Sequence, residues 1–373
     1  MSVILRPVES ARGLREFVRF PYRLYRGHPY WVPPLVKDAL GTLDRKSNPA
    51  FEYCETALWT AEKNGRTAGR IAAIINHKFI EIWKAKTAAF GWFDIVDDPD
   101  VSSALLQRAE TWARERGMTS IHGPMGLTNF DHQGLLIEGF EELPTIASAY
   151  NYAYYLPHLE ACGYSKEIDY LEFEVKPPDR IPEKALRIAD VVMKRKGIRL
   201  VKARKKKELL AYAPAVFDLI NRAYSQLFAY IPLNNRQIEY YTRQYFPFLQ
   251  PEYVSLLIDR SDRLVGFQIT MPSLSLAMQK ARGHLLPFGW IPILRALRKP
   301  EVLDLYLVGI LPEYQNQGLN AVFMVDLNRT SIARGIRMAE TNSELEDNTK
   351  VQGFWKHYDA RQHKRKRVVK KTL

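Results

Sequence analysis

A short polar loop between a strand-like run and a helix-like run carries the clearest chemical signal in the sequence. The apolar run Leu303–Ile310 stops at Pro312, and Gly318 stands directly before an amphipathic segment that begins at Leu319. The first N–H groups of a helix lack partners within the helix and lie at the positive end of its dipole, so they attract anions. Glycine has no Cβ, which lets the backbone approach a pyrophosphate closely. We therefore predict an anion-binding turn at this junction.

The first half of the chain has a similar strand-to-helix junction with the opposite chemistry. It reads Ile95-Val96-Asp97-Asp98-Pro99-Asp100, with carboxylates and no glycine. Because carboxylates repel a pyrophosphate, we expect this half not to bind one there. It would instead be a scaffold or one wall of a substrate site.

The elements around the two junctions repeat along the chain. Asn64-Gly65 joins two apolar runs and predicts a hairpin, because both central residues of a type I′ turn need positive φ. Val254–Ile258 and Leu264–Ile269 predict a second hairpin in the other half. Each hairpin is followed by another strand and then by an amphipathic helix, at 100–116 and 319–334, with a glycine placed to end it.

This order of elements predicts the fold class. Hairpins followed by strand–helix–strand units give an α/β (α+β) fold of two similar domains in tandem, each a mixed, mostly antiparallel sheet flanked by helices. A proline-rich polar segment at 176–182 is typical of a domain boundary. We therefore divide the chain into residues 1–178 and 179–373.

The loop of the second half resembles the pyrophosphate loop of GNAT acyltransferases. Gln315-x-x-Gly318-x-Asn320 follows their (Gln/Arg)-x-x-Gly-x-(Gly/Ala) pattern and departs from it only at the last position. The resemblance implies acyl-CoA as co-substrate, no metal, and a set of cofactor-binding residues: Val308, Ile310, Gln315, Asn316, Gln317, Gly318, Leu319, Asn320 and Asn348. It also makes Tyr358, expected on the helix that Asn348 begins, the group that protonates the leaving thiolate.

Over nearly its whole length the chain resembles a narrower group of tandem GNAT proteins, the bacterial ceramide synthase-like family. The matching signatures include Gly27-His28-Pro29-Tyr30-Trp31-Val32-Pro33-Pro34, Asn48-Pro49-Ala50-Phe51, Phe90-Gly91-Trp92-Phe93, Gly123-Pro124-Met125-Gly126 and Tyr154-Tyr155. This resemblance implies transfer of a long fatty acyl group from a thioester to a sphingoid-type or other lipid amine.

An amine attacks a thioester only when it is neutral, so its proton needs an acceptor. Asp304 and Tyr306 on the last strand before the loop, and Glu340 or Glu344 on and after the next strand, are the candidates. Alternation puts Asp304 and Tyr306 on one face of their strand. In the first half, Asn129 and Asp131 are polar enough to contact a substrate head group, although a turn held by its own hydrogen bonds is the simpler explanation.

An insertion between the second hairpin and the loop strand, at 272–300, has an unusual composition. It contains the apolar run Leu285–Leu294, with Trp290 inside it, and cations on both sides at Lys280, Arg282, Arg295, Arg298 and Lys299. Apolar and aromatic residues flanked by cations are typical of contact with an anionic membrane or of an acyl-chain tunnel. Filling of the interface between the domains is the alternative.

The net charge of +13 comes largely from two basic segments, 194–207 and 356–371. Nucleic acid, an anionic membrane or a polyphosphate-bearing co-substrate would be attracted to them. The alternative is a solvated face for the first and a frayed terminus for the second. No RNA-recognition module is recognisable, which argues against nucleic acid as a partner.

The remaining composition limits the compartment and leaves several activities open. Cys54 and Cys162 have no metal-ligand spacing around them, and no signal peptide precedes them. We therefore expect a cytoplasmic protein, with a possible peripheral place at the inner face of the membrane.

Three other activities remain as alternatives to a lipid acyltransferase: a short-chain N-acetyltransferase, a non-catalytic acyl-CoA or lipid-binding protein, and a tRNA-dependent aminoacyl transferase. The sequence does not predict the oligomeric state.

Overall fold

The strands of the chain join into one continuous mixed sheet in a computed structural model that describes residues 2–373. Within this range the sheet has fourteen strands. They are β1 (Ile4–Pro7), β2 (Cys54–Lys63), β3 (Arg66–Asn76), β4 (Thr87–Ile95), β5 (Ser120–Gly123), β6 (Leu135–Glu138), β7 (Ser165–Lys176), β8 (Arg199–Val201), β9 (Val254–Ile258), β10 (Leu264–Pro272), β11 (Val302–Ile310), β12 (Met338–Thr341), β13 (Glu344–Leu345) and β14 (Asp359–Thr372).

Twelve α-helices in the described range flank this sheet. They are α1 (Ala11–Leu24), α2 (Val36–Thr42), α3 (His77–Trp83), α4 (Pro99–Arg114), α5 (Tyr155–Ala161), α6 (Glu183–Lys196), α7 (Lys206–Ala223), α8 (Asn235–Tyr245), α9 (Ser275–Ala281), α10 (Trp290–Arg298), α11 (Leu319–Arg334) and α12 (Thr349–Trp355). None of them combines the length and the apolar character that crossing a bilayer requires.

The two halves follow one plan, as the repeat predicts. In the first half β1 to β4 form an antiparallel meander, and α4 then carries the chain to β5, which pairs in parallel with β4. In the second half β8 to β11 form the meander, and α11 leads to β12, parallel to β11. The predicted fold class is therefore confirmed. Asn64 and Gly65 have the positive φ of the predicted hairpin turn, at 57° and 72°.

The closing strands of the two halves are exchanged. β7, the last strand of the first half, pairs with β12 of the second half, and β14, the last strand of the chain, pairs with β5 of the first half. β7 and β14 also pair with each other along most of their length. Both halves consequently share one sheet, with the exchanged strands at its centre.

Opposite charges line the seam between the exchanged strands. Arg367 on β14 donates to Asp169 on β7 at 2.8 Å, and the Lys366 ammonium lies 3.0 Å from Glu172. Lys364 and Lys366 are only 1% and 2% exposed. The alternative of a frayed basic terminus is therefore wrong, because carboxylates of β7 neutralise the basic residues of β14 inside the fold.

Each half has its own hydrophobic core, formed where helices pack on the sheet. In the first half α4 packs on β2 to β5 through residues such as Leu105 and Trp112. In the second half α6, α7 and α11 pack on β9 to β11 through residues such as Leu219 and Phe323. Glycines in the left-handed region end α6 and α11, at Gly197 and Gly335.

Candidate functional site

A cavity opens in the second half where two parallel strands separate. β11 and β12 are paired as far as Leu305 and Thr341 and then diverge. The side chain of Asn342 bridges the point of divergence by donating to the carbonyl oxygen of Tyr306 at 3.3 Å. The gap beyond it, here called the cleft cavity, has a volume of about 330 Å³ and reaches Asn320 on α11 and Asn348 at the start of α12.

The N-terminus of α11 at this cavity has no cap. Gly318 occupies the cap position with a φ of 82°, and no side chain accepts a hydrogen bond from the first turn. Within residues 2–373, the backbone N–H groups from Asn316 to Asn320 donate to no protein acceptor. Free N–H groups at the positive end of a sixteen-residue helix make an anion site.

Side chains of the loop hold its shape without using these N–H groups. Gln315 donates from Nε2 to the carbonyl oxygen of Ile310 at 3.0 Å, and Gln317 donates to that of Glu313 at 2.6 Å. Asn316 has a φ of 59°, a conformation that asparagine adopts more readily than most residues. The two glutamines therefore fix the turn and leave its amides available to a ligand.

The corresponding helix of the first half is capped by its own sequence. The Asp98 carboxylate accepts from the Asp100 N–H at 3.0 Å and contacts the Lys63 ammonium at 2.7 Å. Asp97 in turn lies 2.8 Å from a ring nitrogen of His158. A negative side chain thus already occupies the place that an anion would take at α4.

Glu344 on β13 is the one of the three predicted carboxylate bases that lines the cleft cavity, which Asp131 of the first half also lines. The indole of Trp355 donates to its Oε1 at 3.0 Å. Burial raises the pKa of Glu344 to about 7; the Trp355 hydrogen bond opposes this shift and the nearby Glu172 adds to it. A carboxyl group with this pKa exchanges protons near neutrality and suits a general base.

Asp304 and Glu340, the other carboxylate candidates, lie outside the residues that line the cleft cavity. Asp304 is buried, and this burial together with the Glu340 charge raises its pKa to about 8. Glu340 contacts the Lys364 ammonium and lies 3.2 Å from a ring nitrogen of His363. Both carboxylates therefore belong to the buried charge cluster beside the seam.

The two tyrosine candidates are placed differently. Tyr306 lines the cleft cavity, and burial with the neighbouring Tyr245 raises its pKa well above the usual value, so its hydroxyl stays protonated. Tyr358 follows α12, which ends at Trp355, and is not among the residues that line the cavity. Its hydroxyl accepts from the side chain of Asn328 at 3.3 Å. The structure therefore brings Tyr306, but not Tyr358, to the cleft.

A second cavity, here called the first-half cavity, lies where β4 and β5 diverge. It has a volume of about 300 Å³. Four residues line both this cavity and the cleft cavity: Phe130, Asp131, Ala147 and Tyr306. Of the two head-group candidates, Asp131 is at this junction, whereas Asn129 lines the cleft cavity but not the first-half cavity and accepts from the Ile231 N–H at 3.0 Å.

A third cavity is almost entirely apolar, and we call it the apolar cavity. It has a volume of about 80 Å³ and lies between α7, α8 and strands β9 to β11. Tyr306 and Leu307 line it as well as the cleft cavity. Its remaining walls include Leu209, Val216, Ile220, Leu249 and Met271.

Two residues that line the cleft cavity, Tyr224 and Lys366, were not among the site residues predicted from the sequence. The Tyr224 hydroxyl donates to the carbonyl oxygen of Val308 at 2.8 Å and so occupies one position on the β11 edge. Lys366 reaches the cavity from β14 and contacts Ser148 at 3.1 Å. The segment 361–367 lies on β14, and its run of basic residues concealed the strand from the sequence pattern.

The insertion is divided between buried and exposed parts. α9 packs on the first half through Ala277, Met278 and Ala281, against Leu35 and other residues of the same cluster. In contrast, Leu286 is 79% exposed and Phe288 is 70% exposed. Trp290 begins α10 on this exposed side and is not among the residues that line the three cavities.

These features together define the class of protein. The structure superimposes on a tandem GNAT protein from the clavulanic acid biosynthesis pathway with a TM-score of 0.56, at 13% identity, covering 100% of this chain and 98% of the other. A GCN5-related N-acetyltransferase from Sphaerobacter thermophilus gives a TM-score of 0.52 at 12% identity, with 99% and 95% coverage. The chain therefore has the tandem GNAT fold.

Two curated relatives match the chain over its full length. Protein YghO of Escherichia coli (strain K12) is 29% identical over 377 residues, which cover 99% of this chain and 95% of the relative. The bacterial ceramide synthase of Caulobacter vibrioides is 27% identical over 386 residues, with 100% and 98% coverage. The resemblance that the sequence motifs indicated is thus confirmed. No protein-family model matches the chain.

Proposed function

We propose that this protein is an acyl-CoA-dependent N-acyltransferase whose second half binds the acyl donor. The observation that carries this proposal is the contrast between two equivalent helices: α11 has free N–H groups behind Gly318, whereas Asp98 caps α4. The diphosphate of coenzyme A would bind the amides from Asn316 to Asn320. Its pantetheine arm would follow β11 past Val308 towards the divergence of the strands, with Asn348 on the opposite wall.

The side chains of the cleft cavity then supply the proton transfers. Glu344 accepts a proton from the amine as nitrogen attacks the thioester carbonyl carbon and the new C–N bond forms. The C–S bond breaks as the tetrahedral intermediate collapses, and the Tyr306 hydroxyl gives a proton to the leaving thiolate. Tyr306 suits this step because its raised pKa keeps the hydroxyl protonated at neutral pH. Tyr358 was our candidate for that step from the resemblance, and its hydroxyl is engaged by Asn328.

The apolar cavity supports a long acyl chain as the transferred group. It adjoins the cleft cavity at Tyr306 and Leu307, where the thioester would lie. Burying methylene groups stabilises a bound chain by about 0.8 kcal/mol for each group. The ceramide synthase similarity agrees with this choice of donor, and with a lipid amine as acceptor. A short-chain N-acetyltransferase would leave the apolar cavity unused.

A lipid acceptor would bring the protein to a membrane surface. The exposed apolar side chains of the insertion, Leu286 and Phe288 among them, are flanked by Lys280, Arg282, Arg295, Arg298 and Lys299. Apolar side chains that enter the headgroup region and cations that meet anionic lipids act together. We therefore propose peripheral contact of this segment with anionic membranes.

The test of the donor site replaces Gly318 and measures the binding of acyl-CoAs of increasing chain length by native mass spectrometry. Gly318→Glu places a carboxylate among the free amides, so we expect acyl-CoA affinity to fall at least about tenfold. Gly335→Glu is the matched control, because Gly335 has a similar φ of 66° at the other end of α11. Asp98→Asn in the first half should also bind normally.

Two results would contradict the proposal. Undiminished acyl-CoA binding by Gly318→Glu would remove the loop from the donor site. Wild-type binding of acyl-CoA without coenzyme A release, across a broad panel of amines, would favour a non-catalytic acyl-CoA-binding protein instead.

A further inference from the structure

The first-half cavity has no role in binding the donor, yet it adjoins the donor cleft. It occupies the divergence of β4 and β5, as the cleft cavity occupies that of β11 and β12. Asp131, Phe130, Ala147 and Tyr306 form the boundary that the two cavities share. A molecule held in the first-half cavity would therefore present one end to the cleft beside Tyr306.

The charged groups that line this cavity favour a cation. Arg70 is the only lysine or arginine among its described lining residues, and its guanidinium already contacts Asp94 at 2.6 Å. Asp38 and Asp131 also line the cavity, and neither forms a salt bridge within residues 2–373. A chain with a net charge of +13 thus keeps an excess of carboxylates at this place.

Aromatic rings form much of the remaining wall. They belong to Tyr22, Trp31, Trp92, Phe93, Tyr150, Tyr155, Tyr245 and Phe248. Aromatic faces attract ammonium groups through cation–π interactions and also bury apolar surface. The lining therefore fits a molecule that combines an ammonium group with an apolar or aromatic body.

The loop after β5 is built to place Asp131 at the junction. The Asp131 carboxylate accepts from the Thr128 N–H at 2.9 Å. A Cβ on Gly126 would lie 2.1 Å from the Cβ of Asp131, so a larger residue there would displace the acid. Burial raises the pKa of Asp131 to about 6, which leaves the carboxyl group mostly ionised at neutral pH.

Residues of the second half line one side of the first-half cavity. Leu274 and Met278 line it from the insertion. The side chain of Gln279 ties α9 to the first half by donating to the carbonyl oxygens of Pro29 and Trp31 at 2.7 and 3.1 Å. On the same short helix, Leu276 is 63% exposed. The cavity thus lies beneath the segment that we propose for membrane contact.

We infer that the first-half cavity is the acceptor site, and that it binds an organic amine whose ammonium group contacts Asp131 and whose apolar body lies among the aromatic rings. This inference rests on the proposed acyltransferase function and adds the place and chemical class of its acceptor. The ammonium group loses one proton to Asp131 before attack and a second to Glu344 as the C–N bond forms. When the C–S bond breaks, one proton returns to the thiolate through Tyr306 and the other leaves to water.

The experiment measures amine binding to the full chain without acyl-CoA, by isothermal titration calorimetry. The probes are 4-phenylbutylamine and its neutral analogue 4-phenylbutan-1-ol. We expect the amine to bind at least about tenfold more tightly than the alcohol, and Asp131→Asn to remove that preference. Ala149→Phe, which fills the cavity without changing charge, should weaken both probes. Acyl-CoA binding should be unchanged in Ala149→Phe, which lies outside the cleft cavity, and thermal unfolding should show that both variants are folded.

The outcomes separate this inference from the proposed function. Gly318→Glu should lose acyl-CoA and keep the amine, which shows that the two sites are independent. If the wild type does not bind the amine, or if Asp131→Asn and Ala149→Phe both bind it as the wild type does, the acceptor assignment is overturned while the donor site stands. Failure of wild-type acyl-CoA binding would instead overturn the proposed function.

Discussion

At the scale of single residues, burial decides which carboxyl group can act in the cleft. Asp304, Glu340 and Glu344 lie on three strands that follow one another along the chain, β11, β12 and β13. Asp304 and Glu340 are enclosed with Lys364, whereas Glu344 borders the cleft cavity and Trp355 orients it. Sequence pattern identified the group of candidates, but it could not choose among them because the direction of each side chain depends on the packing of distant strands.

The role of Glu344 predicts a specific pH dependence. A base must be ionised to accept a proton, so the wild-type rate should rise as the pH increases through about 7, the pKa of Glu344. Glu344→Gln should lower kcat by about 10²-fold or more and abolish this rise. The measurement is release of the coenzyme A thiol against pH, with an amine that the wild type acylates. A variant with an unchanged pH profile would exclude Glu344 as the base.

Glu344 also predicts how the stability of the folded protein changes with pH. The pKa of Glu344 is raised in the folded state, from 4.5 to about 7, so the folded chain binds the proton more tightly than the unfolded chain does. Its contribution to stability is therefore complete below pH 4.5 and is lost as the pH rises to about 7. Glu344→Gln should consequently gain stability relative to the wild type over this interval.

At the scale of elements, helices with equivalent positions in the two halves differ in how they begin, and neighbouring parts of the insertion differ in burial. α4 and α11 connect parallel strands in the same way, but only α11 begins at a glycine with free amides. The insertion likewise has one helix, α9, fixed to the first half and a following stretch whose apolar side chains are exposed. Local sequence indicated the first feature, because caps and helix ends depend on neighbouring residues. The division of the insertion depends on its packing against the first half.

The exposed part of the insertion makes a prediction about membranes. Leu286→Asp combined with Phe288→Asp removes apolar surface and adds negative charge, so binding to vesicles that contain anionic lipid should fall at least about tenfold. Flotation of the protein with such vesicles measures this. Ile4→Asp, at a side chain that is 49% exposed on β1, is the matched control. Equal flotation of both variants would exclude the insertion as the membrane contact.

At the scale of the whole molecule, the exchanged strands make the two halves one structural unit. The centre of the sheet depends on carboxylates of β7 meeting cations of β14, including Asp169 with Arg367 and Glu172 with Lys366. Burial alone would lower the pKa of Lys364, but Glu172 and Glu340 outweigh it and raise that pKa. The cluster therefore stays charged, and each partner depends on the others.

This arrangement predicts a large cost for removing one buried charge. Glu172→Gln leaves Lys364 and Lys366 short of a counter-charge, so the free energy of unfolding should fall by about 3–5 kcal/mol. Asp359→Asn is the control, since its ion pair with Lys176 is exposed and is worth less than about 1 kcal/mol. Urea denaturation measures both. A loss as small as that of the control would show that the seam does not hold the two halves together.

The sequence by itself determined the features that depend on neighbouring residues. The Asn64-Gly65 hairpin, the glycine that ends α11 and the glycine turn before it were all readable, because turn and cap preferences act over a few positions. The tandem repeat of strand and helix followed from these local signals.

Only the tertiary structure decided how distant segments meet. Asp169 and Arg367 are 198 residues apart, and the pairing of their strands turns a basic segment that looked like a tail into the middle of the sheet. The first-half cavity likewise meets the cleft cavity at Asp131 and Tyr306, which lie far apart in the sequence. Such contacts form because complementary charges and apolar surfaces are buried together, and that pairing has no signature within either segment alone.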